Sequence, residues 1–555
     1  MPLNTSIQRG STLVIPKMTD IVYFTYGYEN GGTGNMKVLK TVILLLLISG
    51  CADKNSGEIS ADLLITGGTV YSGHDAPGKF LDIVINGDQI TFVGPTGETK
   101  ISADRVIDAT GFIVAPGFID PHTHSLENLQ DPDRKINANY LTQGVTTVFN
   151  GNDGGGPSNI RETLDDLDEN GIGTNTALFV GQGQVRRSVM QMRDDVPTYG
   201  EMEIMKSHVR IAMQEGALGL STGLYYAPGS YSSTEEIIEL AQVIAPFDGI
   251  YESHIRDEST YNIGLLGAIK EVIDIGRAAG IKAHVGHIKA LGIDVWGQSI
   301  EAIKMIEDAR AEGLHITADQ YPWLATGTGV KSALLPHHVQ TGGDQKMRER
   351  LQDQTQLPAI KNEMAENMRK RGGKDALLLT GGDANMVVGR TLGEEAEARG
   401  KSPIDTAIEI ILEGDSNVAN FSINEDDLKA FIQQPWMMTS SDGSYGHPRK
   451  FATFPTKYRK YVVEKKYLSL QEFIHRSTGL TADTFKLCDR GYIATDKYAD
   501  IVIFDPDEFA PEADFVNPRE FSAGVKYLIV NGGLTIDDGA LTDDLHGRGL
   551  TRCTR

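Results

Sequence analysis

The sequence predicts an α/β protein. It should be a (β/α)₈ barrel with a small β-sandwich assembled from both chain ends and an inserted helical subdomain. Three observations carry this. Eight short apolar runs alternate with helical stretches through the middle of the chain, the pattern of parallel strands joined by crossover helices. Short β-like runs separated by turn residues occur near the start and return near the end. One interval, from about 330 to 435, is too long for a single crossover helix and is expected to hold the insertion.

In chain order, the first element of note is a basic start, Lys37 and Lys40, followed by the seven-residue run Val42–Ile48 and Leu47-Ile48-Ser49-Gly50-Cys51. A spanning helix needs roughly 20 apolar residues, so this run reads as a secretion signal. Its last residues resemble a bacterial lipobox. That resemblance implies lipidation at Cys51 and a lipoprotein anchored to the cell envelope, facing the periplasm. Residues 1–35 precede Met36, where such a signal would begin, and together with the signal they form an upstream region, 1–51. Residues 61–115 supply one half of the sandwich, with runs such as Asp62–Thr66, Asp82–Ile85 and Arg105–Ile107. Residues 490–545 supply the other half, with Asp500–Phe504 and Val525–Val530. The barrel spans 116–489. Its candidate strands are Gly117–His124, Gly144–Asn150, Thr174–Gly181, Ala217–Thr222, Gly249–His254, Ile281–His287, His315–Asp319 and Trp436–Ser441.

Composition narrows the function. The formal net charge of −23 argues against a nucleic-acid partner, which needs clustered Lys and Arg. The three cysteines, Cys51, Cys488 and Cys553, are far apart and lack a CxxC pair, so neither a disulfide framework nor a thiolate zinc cluster is expected.

Several strands end in metal-ligand residue types. The first ends His122-Thr123-His124, the fifth ends in His254, the sixth in His287, and the eighth is followed at once by Asp442. In a parallel barrel the C-terminal strand ends meet at one mouth. Four imidazoles and a carboxylate gathered there would hold zinc or a similar divalent ion. Taken singly, each residue has an ordinary alternative: a strand face for His-x-His, a satisfied core histidine for His254, a turn for Asp442-Gly443. Their common placement at strand ends is what points to a site.

The stretch Gly117-Phe-Ile-Asp-Pro-His-Thr-His124 resembles the first-strand signature of the amidohydrolase superfamily. Within it, the chain resembles the N-acyl-D-amino-acid deacylases, or D-aminoacylases. The matching motifs keep their order: Gly144–Val148, Gly219–Pro228, Ser253–Glu258, Gly286–Lys289, Asp319–Pro322 and Ser440–Gly443, continuing through His447-Pro448-Arg449. The resemblance covers roughly 61–545. It implies one metal on His254 and His287 and a second position at His122 and His124 with Asp442. The family's Gly-Asn-Cys-Gly is here Gly151-Asn152-Asp153-Gly154, so Asp153 would offer oxygen where relatives offer a thiolate. Gln182 also stands where family members often carry His.

The chemistry implied is hydrolysis of an N-acyl amino acid. A bound metal lowers the pKa of its water to about 7, supplying hydroxide for attack on the amide carbonyl. Asp442 would take the proton and pass it to the departing amine. By the same resemblance Lys289, Tyr321, Arg449 and Tyr226 would grip the substrate; an Arg fork suits a carboxylate. A dipeptidase acting on substrates with a C-terminal D-residue remains open as an alternative. A cyclic-amide hydrolase of the dihydropyrimidinase or dihydroorotase kind is disfavoured, since it would need a lysine on the fourth strand, and Ala217–Thr222 has none. A lipoprotein that binds without catalysis would have no need of the metal ligands.

Overall fold

The computed structural model describes residues 58–553. Cys51 and the apolar run before it lie outside the described residues. The barrel strands are β1 (Phe118–Asp120), β2 (Val145–Asn150), β3 (Asn175–Leu178, resumed at Val180–Gly181), β4 (Gly219–Gly223), β5 (Ile250–His254), β6 (Lys282–Val285), β7 (Ile316–Gln320) and β8 (Met437–Thr439). Neighbouring strands pair in parallel in this order. The break inside β3, at Phe179, is bridged by Phe179 N donating to Asn150 O at 2.9 Å. The ring closes between β8 and β1. Thr123 bridges in parallel to Gly443, and Asp442 N donates to His122 O at 2.9 Å. Ser441 N adds a bond to Asp120 Oδ1 at 3.1 Å.

Every residue of β1, β2, β3, β4 and β5 is buried. This explains why these strands read as continuous runs rather than alternating ones: helices cover the outside while the barrel fills the inside. The covering helices carry their own start signals. Ser233 caps Thr234–Ile244 by accepting from Glu236 N, and Thr198 forms a reciprocal capping box with Glu201.

Strands from both chain ends share one ten-stranded mixed sheet, joined where Ile113–Pro116 pairs antiparallel with Ile501–Phe504. The run Ile501-Val-Ile-Phe504 shows period-two geometry at work. Ile501 and Ile503 pack with Ile65, Ile83 and Ile107 in the sheet's own core. Val502 and Phe504 face the other way, onto Phe118 and Val145 of the barrel.

The insertion between β7 and β8 has its own apolar core, from Val330 to Val418. It is largely helical, as expected, and it also contains a three-stranded antiparallel sheet of Ala325–Gly329, Leu377–Gly382 and Ser416–Phe421. The glycine-rich strands Ala-Thr-Gly-Thr-Gly and Leu-Leu-Leu-Thr-Gly-Gly carry weak strand signals, which hid the sheet in the sequence.

One expectation is corrected. Cys488 and Cys553 form a disulfide, with Cα atoms 5.4 Å apart across 65 residues of sequence. Their separation gave no hint, because the pairing depends on the C-terminal segment returning to the barrel. There Gly549–Leu550 pairs with β3, and Arg552 N donates to Gly216 O.

Candidate metal and active site

The residues singled out at the strand ends converge at the barrel mouth. His122 and His124 follow β1, Asp153 follows β2, His254 closes β5, His287 follows β6 and Asp442 follows β8. Among the described residues two groups could hold an ion, His122–His124–Asp153–Asp442 and Asp153–His254–His287. Asp153 belongs to both. Its Oδ1 lies 3.2 Å from His122 Nε2, 3.6 Å from His254 Nδ1 and 3.4 Å from His287 Nε2, and its Oδ2 lies 3.4 Å from His124 Nε2.

These atoms fit a metal better than they fit one another. His122 Nε2, His254 Nδ1, His287 Nε2 and Asp153 Oδ1 are buried and have no hydrogen-bond partner among the described residues. Four unpartnered buried ligand atoms gathered about one carboxylate are costly unless a cation satisfies them. A mixed imidazole and carboxylate donor set suits zinc or another borderline divalent ion. The backbone is also bent to place three of the ligands: Asp153, His287 and Asp442 have φ of 56°, 34° and 47°. Non-glycine residues in this region are strained, and such strain collects at functional sites.

The electrostatics follow from crowding. Burial by itself would raise Asp153, but the surrounding imidazoles, His122 first, hold its carboxyl well below the usual range. Burial and Lys289 push His287 down, yet the carboxylates of Asp442, Asp153 and Glu258 outweigh them and lift it to about 9. Burial would also raise Asp442; Arg449 and His287 reverse this and hold it well below an ordinary aspartate.

Against these ligands stand the substrate-binding candidates. Tyr321 is buried, with Lys289 Nζ 5.5 Å and the Arg449 guanidinium 5.0 Å from its ring centre. The Tyr226 ring lies 4.7 Å from that of His254. Both cations are already engaged. Arg449 Nη1 is 2.7 Å from Asp442 Oδ2, and Lys289 pairs with Glu258 and lies 2.8 Å from His287 Nδ1. Arg449 Nε remains buried without a partner among the described residues. A cavity of about 320 Å³ lies over His124, Asp153, Asp442 and Arg449 and runs out to Thr380 and Asn417 of the insertion.

Sequence reasoning missed three contributors. Glu258 sits 3.2 Å from His287 Nδ1 while pairing with Lys289. Asp319 accepts from His287 N at 2.9 Å and from His284 Nε2 at 2.7 Å. Arg371, from the insertion, donates to Tyr225 OH at 3.1 Å. Glu258 and Asp319 stand inside matching motifs and could have been found there; Arg371 gave no signal. Gln182, the departure noted in the sequence, turns away to Ser232 and Glu236.

A closed parallel barrel with imidazoles and carboxylates converging at its C-terminal mouth defines a metal-dependent hydrolase of the barrel type. The chain belongs to the amidohydrolase family, whose pattern matches residues 105–536. It groups there with the D-aminoacylases. D-aminoacylase of Alcaligenes xylosoxydans xylosoxydans is 31% identical over 88% of this chain and 98% of its own length. N-acyl-D-glutamate deacylase of the same organism is 29% identical over 85% and 93%. A crystal structure of D-aminoacylase matches with a TM-score of 0.75 at 30% identity, covering 89% of this chain and 100% of that one. N-acyl-D-glutamate deacylase from Bordetella bronchiseptica, solved with zinc and a phosphonate mimic of the tetrahedral intermediate, matches with a TM-score of 0.76 at 27% identity, covering 89% and 100%. The protein is a metal-dependent hydrolase acting on amide bonds.

Proposed function

We propose that the protein removes the acyl group from N-acyl-D-amino acids, with zinc as the ion. The placement of Asp442 carries this reading. Its Oδ1 is 3.2 Å from His124 Nε2, on the metal side, and its Oδ2 is 2.7 Å from Arg449, on the substrate side. One carboxylate thus touches both the ligand cluster and the group suited to a substrate carboxylate.

His122, His124, Asp153, His254 and His287 would hold a divalent ion, which would supply Lewis acidity and a more acidic water. The chain's own residues do the rest. Arg449, Lys289 and Tyr321 orient the substrate by its α-carboxylate, Arg449 through its unpartnered Nε–H. Asp442, held ionised by Arg449 and His287, accepts a proton from the attacking water at Oδ1 and delivers it to the departing amine nitrogen. The D preference rests on the relatives, whose names specify D-amino acids.

A dipeptidase reading is favoured by one observation. A second cavity of about 500 Å³ continues past His124, lined by Glu127, Gln130 and Asn152. A water occupies about 30 Å³, so an acetyl group would leave most of this space to solvent. Asn152 Oδ1 is buried and unpartnered among the described residues, and it could accept from an aminoacyl ammonium. The strand itself counts against the cyclic-amide alternative: β4 carries no lysine, and a Cβ at Gly223 would stand 2.2 Å from Asp153 O. That strand end gives room to the Asp153 peptide instead.

The test is a panel of N-acetyl-D-, N-acetyl-L- and dipeptide substrates with zinc-loaded protein. Turnover confined to the L-series, or none in any series, sinks the proposal; faster turnover of dipeptides selects the second reading. Anchoring at Cys51 belongs to the same proposal. The Cys488–Cys553 disulfide supports it, since disulfides persist in oxidising compartments. Cell fractionation of Cys51→Ala checks it: release from the membrane is expected, and a wild type already wholly soluble refutes it.

A further inference from the structure

Beneath the ligand cluster, inside the barrel, lies a buried acid that the proposed reaction does not use. Glu252 stands on β5, two residues before His254, so its side chain points into the same interior. It is fully buried, and neither carboxyl oxygen has a hydrogen-bond partner among the described residues. Its Oε1 faces His122 Nδ1 at 3.4 Å, and that nitrogen is likewise buried and unpartnered.

Two features single out Glu252. Asp319 Oδ2 is the other acid near this nitrogen, at 3.8 Å, but Asp319 is already occupied by His284 Nε2, His287 N and Ser440 Oγ. Glu252 is the acceptor with capacity left. The packing also makes room for the pair. A Cβ at Gly286 would stand 2.6 Å from Glu252 Oε1 and 3.1 Å from His122 Nδ1, so the residue before His287 must be glycine for the acid and the imidazole to meet.

We propose that Glu252 is a positioning residue for the metal centre: its carboxyl group accepts the Nδ1 proton of His122 and so commits Nε2, across the ring, to the ion. A ligating histidine needs one nitrogen deprotonated toward the metal, and an acceptor on the other nitrogen fixes that tautomer and the ring's orientation. Loss of such an acceptor typically weakens metal binding about 10- to 100-fold. The inference rests on reading the cluster as a metal site.

The test is zinc titration of metal-free wild type, Glu252→Gln and Asp319→Asn against a competing chromophoric chelator, alongside thermal unfolding of each metal-free protein. Glutamine keeps the shape but can present an N–H to Nδ1 and favour the wrong tautomer. Expected is a zinc affinity lowered about 10- to 100-fold in Glu252→Gln, with metal-free unfolding close to wild type. Wild-type zinc affinity in Glu252→Gln overturns the proposal while leaving the metal reading intact. A wild type that takes up no zinc overturns both. Should Glu252→Gln fail to fold, ¹⁵N-histidine spectra of zinc-loaded wild type decide alone: a proton on His122 Nδ1 supports the assignment, and a bare Nδ1 refutes it.

Discussion

Two sets of residues at the barrel mouth differ in how complete they are. After β1, β2, β5 and β6, buried imidazole nitrogens and an Asp153 oxygen crowd together without hydrogen-bond partners among the described residues. Beside them, Lys289 after β6 and Arg449 after β8 already hold carboxylate partners, Glu258 and Asp442. The first set offers a donor arrangement that a bound cation would satisfy. The second is self-neutralised, so a substrate carboxylate must share or displace existing partners. Asp442 reaches both through its two oxygens, His124 at Oδ1 and Arg449 at Oδ2.

The largest effect should come from the residue that joins the two sets. Asp442→Asn keeps the shape but cannot carry a proton, and kcat should fall about 10²–10⁴-fold with the fold intact. Activity within a factor of a few of wild type would remove Asp442 from the proton path. Next is Asp153→Asn, which weakens the one ligand common to both metal groups. Metal content should drop by at least one ion per chain on dialysis, by analogy with the cost of losing a carboxylate ligand; unchanged content measured by atomic emission would show that the histidines suffice.

A smaller effect is expected at Arg449→Lys, which keeps charge but loses the fork. Amidating the substrate's carboxyl group should impair wild type more than the mutant in kcat/KM, by about tenfold or a little more, the scale of a charged hydrogen bond. Equal penalties in both backgrounds would separate Arg449 from that carboxylate. Because the pair with Asp442 must be shared, the coupling should also be smaller than for an unengaged arginine.

The smallest effect is in pH. His287 in the metal-free fold is raised to about 9, so the stability it contributes is fully present below its ordinary value near 6.5 and is lost as pH rises through about 9. Near pH 7.5 it therefore holds a proton that Nε2 ligation must expel. Zinc uptake measured calorimetrically in buffers of different ionisation enthalpy should release protons at pH 7.5 and release fewer above pH 9. Uptake with no proton release would show that His287 does not carry that proton in the metal-free fold.

The barrel was legible in the sequence because its strands are buried on both faces and end in chemistry-bearing residues: His122, His124, His254, His287 and Asp442 all stand at strand ends, and the architecture alone makes them neighbours. What the sequence could not express was pairing within the site. Nothing in the spacing of Asp442 and Arg449 says that they bind each other before any substrate arrives. Glu252 reads as one more residue of a buried strand until His122, 130 positions earlier, is seen facing it. The sheet inside the insertion was hidden by glycine, and the Cys488–Cys553 disulfide by a long return of the chain.

The central claim is that the cluster at the mouth needs a cation to work. Stripping the protein with a chelator and restoring zinc in stoichiometric steps, with turnover of an N-acetyl-D-amino acid followed throughout, tests it most directly. Activity should vanish on stripping and return within the first one or two zinc equivalents, and His254→Ala and His287→Ala should fail to recover it. Full turnover by protein carrying far less than one metal per chain would contradict the account.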